Sequence, residues 1–253
     1  MLLSILFLLL AAVPQQSLGQ DKRKVEGKEQ AVAQEEGTVM DLSATQQQEI
    51  LDKFNAFRRG VQPTARNMLK MTWSEKAANS AKKWARKCIG KSSPLEERNV
   101  DGILCGESIS QSNFIRTWPN VIQQWNSSGS TFIFGSKKIA PEKHFLGYTQ
   151  IVWYNSHEVG CTFAHCPENE FPFFYMCRFC PLGNIEQQLP TPYKEGPSCG
   201  DCPAHCEDKL CTNPCKYADK SDQCAQLIDN FKCKMNWVQQ QCNASCKCTT
   251  EIK

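Results

Sequence analysis

The sequence predicts an α+β fold, and three observations carry that reading. Apolar residues recur at helical spacing between Ile50 and Trp125, whereas runs rich in β-branched and aromatic residues dominate from Tyr148 to Phe179. Ten of the sixteen cysteines crowd between Cys199 and Cys248. Helices followed by strands suggest layers of α and β around one core. The cysteine-dense end is too short for a core of its own, so bridges must replace one.

The chain opens on Leu2 to Val13, an apolar run too short to cross a bilayer at about 1.5 Å per residue, with small residues at Ser17-Leu18-Gly19. A cleaved signal peptide over 1–19 is the reading, followed by a charged, flexible leader over 20–42. Thr45 to Gln48 fits a capping box at the start of a helix whose apolar face is Ile50, Leu51, Phe54 and Phe57; Gly60 and Pro63 stop it. Ser74 caps a second helix with Ala77, Ala81, Trp84, Ala85 and Cys88 on one face. Trp118 to Trp125 reads as a third helix. Strands are expected at Tyr148–Tyr154, Gly160–Ala164 and Phe171–Phe179. Gly183 to Pro197 lacks any period and reads as a linker, and a helical stretch is expected near Gln226 to Gln241. The domains so drawn are 43–185, a linker and disulfide-rich hinge over 186–211, and a small module over 212–253.

Composition excludes several classes of function. A net charge of +3, scattered along the chain, gives no footprint for nucleic acid, and no later segment is apolar enough for an integral membrane protein. An even set of sixteen cysteines reads as eight disulfides in an oxidising, extracellular compartment. That leaves no free cysteine nucleophile. Ser156-His157-Glu158 is a triad only on paper, because sequence neighbours do not point at one another, and Ser108 beside Glu107 has no histidine base that sequence identifies. No catalytic residue is expected, and no cofactor.

The motifs Asn55-Ala56-Phe57-Arg58-Arg59, Asn67 to Trp73, Cys105-Gly106-Glu107, Tyr148 to Trp153 and Cys177 to Asn184 resemble those of the cysteine-rich secretory proteins of the CAP superfamily. Cys206 to Cys215 and the ending Thr250-Glu251-Ile252-Lys253 are most similar to the epididymal branch of that family. The resemblance implies an α-β-α sandwich CAP domain, a hinge and an ion-channel-regulator-like module. It further implies the pairs Cys88–Cys166, Cys105–Cys180, Cys161–Cys177, Cys199–Cys206, Cys202–Cys211, Cys215–Cys248, Cys224–Cys242 and Cys233–Cys246; spacing alone leaves the pairing open.

The resemblance also implies a cleft in which two histidines and two glutamates hold zinc. Here Phe54, Ser128 and Gly147 stand at three of the expected ligand positions and only Glu107 remains, so no metal site is expected. His144 is the residue whose loop could return it to the cleft; His157, His165 and His205 read as turn or surface residues. Asn126-Ser127-Ser128 and Asn243-Ala244-Ser245 are glycosylation sequons.

Between Cys215 and Cys248 five lysines oppose three aspartates. Lys216-Tyr217 and Phe231-Lys232 pair a cation with an aromatic ring, and Lys234 and Trp237 complete a surface that could cap the acidic mouth of a cation channel. The same lysines would equally keep a small disulfide domain soluble. By resemblance the protein is a secreted, non-enzymatic binder of the male reproductive tract, in epididymal fluid and on the sperm surface. It would act in sperm maturation and meet an egg surface receptor through Phe174 to Ile185. The alternative is a sterol carrier, with Phe132-Ile133-Phe134 and Phe171 to Phe174 lining the pocket.

Overall fold

A computed structural model of the chain describes residues 37–136, 144–221 and 223–253; the expected signal peptide and most of the leader lie outside them. The leader expected to be flexible through 42 already holds a strand, β1 (Thr38–Met40). Its backbone is taken up by β6 (Glu158–His165), with Thr38 opposite His165.

The first helix, α1 (Ala44–Arg59), begins one cap earlier than the sequence suggests. Ser43 accepts from the Gln46 N–H at 3.2 Å, and the Gln46 side chain accepts from the Ser43 N–H at 2.9 Å. Ser43 and Gln46 therefore form the capping box, not Thr45 and Gln48. Helix α2 (Glu75–Ala85) starts at Ser74, whose hydroxyl accepts from the Ala77 N–H. Helix α3 spans Trp118–Ser127.

The main sheet runs β1-β6-β7-β5, all antiparallel, with β5 at Gly106–Ser112 and β7 at Phe173–Cys180; a short β2 (Thr72–Trp73) adds in parallel to β6. A two-stranded ribbon, β3 (Asn99–Val100) with β4 (Ile103–Leu104), precedes it. Helix α2 covers one face, where Ala81, Trp84 and Ala85 meet Ala164, Phe174 and Met176. At Gly160 the two backbones approach so closely that a Cβ would lie 2.0 Å from the Ala78 nitrogen. Ile50 and Phe54 of α1 and Val121, Ile122 and Trp125 of α3 pack the other face with Val159, Tyr175 and Phe179. The result is an α-β-α sandwich.

The expected strand Tyr148–Tyr154 is not one. Leu146–Ile151 forms α4, and Ile151 at its end is buried together with Val152 and Trp153 just beyond it. The cause lies far away in the chain. The fully buried Arg58 donates to the carbonyls of Leu69, Ile151 and Trp153 at 2.8 Å each and of Tyr154 at 3.0 Å. The carbonyls of Ile151 and Trp153 find their donor in a guanidinium instead of a neighbouring strand, so the local β preference is overridden. Burial lowers the Arg58 pKa to about 9, which leaves it charged at neutral pH.

Gly183 to Pro197 is likewise not a loose linker. Tyr193 is buried in the main core and Leu189 is buried too, and the backbone N–H groups of Arg66 and Gly196 donate to the carbonyls of Lys194 and Thr64. The next segment docks too: Lys70 N–H donates to the Cys211 carbonyl at 2.8 Å and Cys211 N–H to that of Met68 at 2.7 Å. It carries a small ribbon, β8 (Cys206–Glu207) with β9 (Leu210–Cys211). Beyond it the single helical stretch expected near Gln226 to Gln241 is two helices, α5 (Cys224–Phe231) and α6 (Asn236–Gln241), and a further one, α7 (Asn243–Lys247), follows. Lys232, at φ 58°, breaks the first from the second. The disulfides are Cys88–Cys166, Cys105–Cys180, Cys161–Cys177, Cys199–Cys206, Cys202–Cys211, Cys215–Cys248, Cys224–Cys242 and Cys233–Cys246, and no cysteine is free.

Candidate functional site

A cavity of about 580 Å³ opens beside the edge strand β5, between the segment 92–98 and the facing ends of α3 and α4. Glu107 and Ser108 of β5 line it, with Arg98, Trp125, Ser128, Gly147 and His144 around them. Glu107 is committed inside the protein. Its Oε1 accepts from the Ser93 N–H at 2.8 Å and pairs with Arg98 at 3.0 Å; its Oε2 accepts from the Ser93 hydroxyl at 2.8 Å and from Arg178. Burial pulls the pKa of Arg178 down while the Glu107 carboxylate opposes it.

Ser128 and Gly147 do sit together in the cleft. The Ser128 hydroxyl donates to the Trp125 carbonyl at 2.7 Å and accepts from the Tyr148 N–H at 3.0 Å. A Cβ on Gly147 would lie 3.0 Å from that carbonyl and 3.2 Å from the Ser128 Oγ, so the glycine lets α4 close on α3. Phe54 is elsewhere. It is fully buried and edge-on to Phe179 at 5.3 Å, so it is a core residue and not a vacated ligand position. Ser92, which sequence reasoning passed over, lines the cavity with Leu95 and Arg98, and its neighbour Ser93 binds Glu107.

A zinc ion does not fit these residues. Glu107 has its oxygens occupied by two cations and a serine, Ser128 and Gly147 offer no strong ligand, and His144 alone remains. Among the described residues the only trio of close metal-ligating atoms is Cys199, Cys202 and Cys211, and all three are in disulfides.

Among the described residues, the serines and histidines singled out for nucleophilic chemistry are not brought together either. Ser156 is fully buried and donates to the Pro181 carbonyl at 2.7 Å, while His157 Nδ1 faces the Asn155 carbonyl at 3.0 Å. Burial lowers the His157 pKa. His165 stacks on Phe173. Ser108 and His144 share the cavity, yet no hydrogen bond joins them, and the carboxylate that would orient such a histidine faces guanidiniums.

The C-terminal module presents two surfaces. Tyr217 lies under two ammonium groups, Lys216 at 5.2 Å and Lys247 at 4.6 Å from the ring centre. Phe231 meets Trp237 edge-on at 5.2 Å instead of pairing with Lys232. Both rings stay open to solvent, 49% and 42% exposed, beside Met235 at 47%, which the sequence reading missed. Lys232 and Lys234 flank them, also exposed. The sequon asparagines Asn126 and Asn243 are half-buried on α3 and α7. The segment Phe174 to Ile185 is a poor surface, because Phe174 through Cys180 are buried in β7 and only Ile185 is well exposed.

Two family models match the chain: one described as the cysteine-rich secretory protein family over residues 51–179, and one described as Crisp over residues 199–253. Solved structures share the fold. NaASP2, in a structure with Zn2+, is 22% identical over 68% of this chain and 97% of its own, with a TM-score of 0.56. BmVAL-1 is 24% identical over 68% of this chain and 95% of its own, at 0.57. Venom allergen-like protein 4 of Schistosoma mansoni is 22% identical over 62% and 97%, at 0.51. Eight bridges and this family mark a secreted protein, and no helix among the described residues is long and apolar enough to cross a membrane. With its sandwich and its knotted end each matched by a model, the chain belongs to the cysteine-rich secretory protein family.

Proposed function

We propose that the protein is a non-enzymatic binding protein of the male reproductive tract, of the epididymal type 1 branch, held in epididymal fluid and on the sperm surface. It acts in sperm maturation and fertilization, and its C-terminal module modulates a cation channel. The observation that carries the channel reading is the open Phe231–Met235–Trp237 patch flanked by Lys232 and Lys234 on a bridge-held scaffold. Aromatic anchors beside cations are the composition of an interface hot spot. The tissue assignment rests on Cys206 to Cys215 and on Thr250 to Lys253. Contact with an egg receptor is confined by burial to the end of the proposed segment, Leu182 to Ile185.

Whole-cell calcium currents from sperm or from cells expressing candidate channels test this with the full chain. Reduction of the current at micromolar protein, lost in Phe231→Ala/Trp237→Ala, is the expected result; no effect of the unaltered protein defeats the proposal.

Sterol carriage remains the second reading, with its pocket relocated. Phe132 packs on Phe145 and Tyr148, and Phe134 stacks on Tyr193, so that loop fills itself. A cavity of about 410 Å³ with Met40, Leu42, Ile115, Trp118 and Phe163 on its wall, beside the polar Asp41, Glu49 and Arg116, is the space that favours it. Radiolabelled cholesterol binding separates the two readings.

A further inference from the structure

The cleft that lacks a zinc set has acquired the opposite electrostatic character. Glu107 is closed off by two guanidiniums and Ser93, with its side chain 4% exposed. The next carboxylate, Glu97, is held by Lys87 at 2.8 Å and Lys83 at 3.8 Å. Glu107 itself meets two guanidiniums, so the ion-paired group at the cavity wall carries a net positive charge. Arg98 carries that charge to the cavity wall. Its Nε and Nη2 are used on Ser93 and Glu107, whereas Nη1 has no acceptor among the described residues.

Neutral donors complete the lining. The Gln124 amide oxygen accepts from Ser110 and Arg116, which leaves its Nε2 donor unused. The hydroxyls of Ser92 and Ser108 and the ring of His144 make no hydrogen bond among the described residues. Leu95 and Leu146, 56% and 36% exposed, form an apolar rim. A guanidinium already fixed by its other nitrogens is a preorganised fork for an oxyanion, because little side-chain freedom is left to lose on binding.

We infer that this cleft is an oxyanion site, in which Arg98 and His144 hold a sulfate, phosphate or carboxylate group and Ser92, Ser108 and Gln124 hydrogen-bond the molecule that bears it. A cavity of about 580 Å³ suits one or two sugar rings. The hydroxyl and amide lining fits a small acidic sugar better than a lipid tail.

Calorimetric titration of the full chain at low salt tests the assignment, with glucose 6-sulfate, sodium sulfate, glucose and zinc as separate titrants. Saturable one-to-one binding of both sulfates is expected, weakened about tenfold or more in Arg98→Gln. Because Arg98 also holds Ser93 and Glu107, His144→Gln on the cavity wall is the second variant; it should weaken binding several-fold without moving the melting temperature. Glucose 6-sulfate tighter than sulfate identifies a sugar ligand, and equal affinities identify a free oxyanion; either supports the site. The assignment fails if neither sulfate saturates by roughly 10 mM, if glucose binds as well as its sulfate, or if His144→Gln binds like the unaltered protein. Tight one-to-one zinc binding lost in His144→Gln would overturn it in favour of a metal site.

Discussion

Cys161–Cys177 and Cys224–Cys242 close loops of nearly equal length, 16 and 18 residues apart, in unlike surroundings. The first lies between β6 and β7, inside the main core with Val159, Tyr175 and Phe179. The second shares its cluster with one other fully buried residue, Val238, and with half-buried Leu227 and Ile228. Chain entropy assigns each bridge about 3 kcal/mol. What differs is what remains when the bridge is gone: a core large enough to fold, or almost nothing.

Three substitutions probe this contrast in stability, and the largest effect is expected inside the sandwich. Arg58→Ala removes the donor from the carbonyls of Leu69, Ile151 and Trp153 and leaves a void, at a cost of about 4 kcal/mol, because those carbonyls lose both partner and water; that of Tyr154 keeps the Leu69 N–H. Urea unfolding followed by tryptophan fluorescence measures it; a loss under about 1 kcal/mol would mean that water replaces the guanidinium. The paired bridge deletions come next. Cys224→Ala/Cys242→Ala should expose the module to proteolysis while the sandwich still melts cooperatively. Cys161→Ala/Cys177→Ala should lower the melting temperature and leave both parts folded. If the two deletions behave alike, the contrast is wrong.

How much of this was legible follows the range of the interaction concerned. Helix α2 was readable because its cap, Ser74, and its apolar face lie within one short segment. The run Tyr148–Tyr154 was misread because its conformation is settled by Arg58, 93 residues away from Ile151 in sequence. In the cleft, Ser128 and Gly147 were readable as departures from a motif. Phe54 was not, since nothing local distinguishes a core phenylalanine from one that replaces a ligand. Arg178 meets Glu107 through the β5–β7 pairing, which places the two opposite each other, and Arg98 reaches the same carboxylate from the turn over 95–98. Two arginines and one glutamate in the sequence carried no sign of that meeting.

A smaller effect concerns acid. Burial lowers the His157 pKa, so below the ordinary value of 6.5 the unfolded chain takes up a proton that the folded chain resists. Stability present above pH 6.5 is therefore lost as pH falls from there through the lowered folded value, by at most about 1.4 kcal/mol per pH unit. His157→Gln should flatten this part of the urea midpoint against pH. An unchanged profile would assign the acid loss to carboxylates instead.

The smallest stability change is expected where the functional change is largest. Phe231 and Trp237 touch each other but keep nearly half of their surface in water, so truncating both to alanine removes little buried area. The melting temperature of Phe231→Ala/Trp237→Ala should therefore stay within the shift that about 0.5 kcal/mol produces, while the channel effect disappears. Lys232→Gln/Lys234→Gln should act on a different axis, slowing association and reducing its dependence on salt while the aromatic anchors still dock. The converse pattern is informative. If the aromatic double variant loosens the module as much as loss of Cys224–Cys242 does, the two rings belong to its scarce packing, and a domain held by bridges has none to spare for a partner.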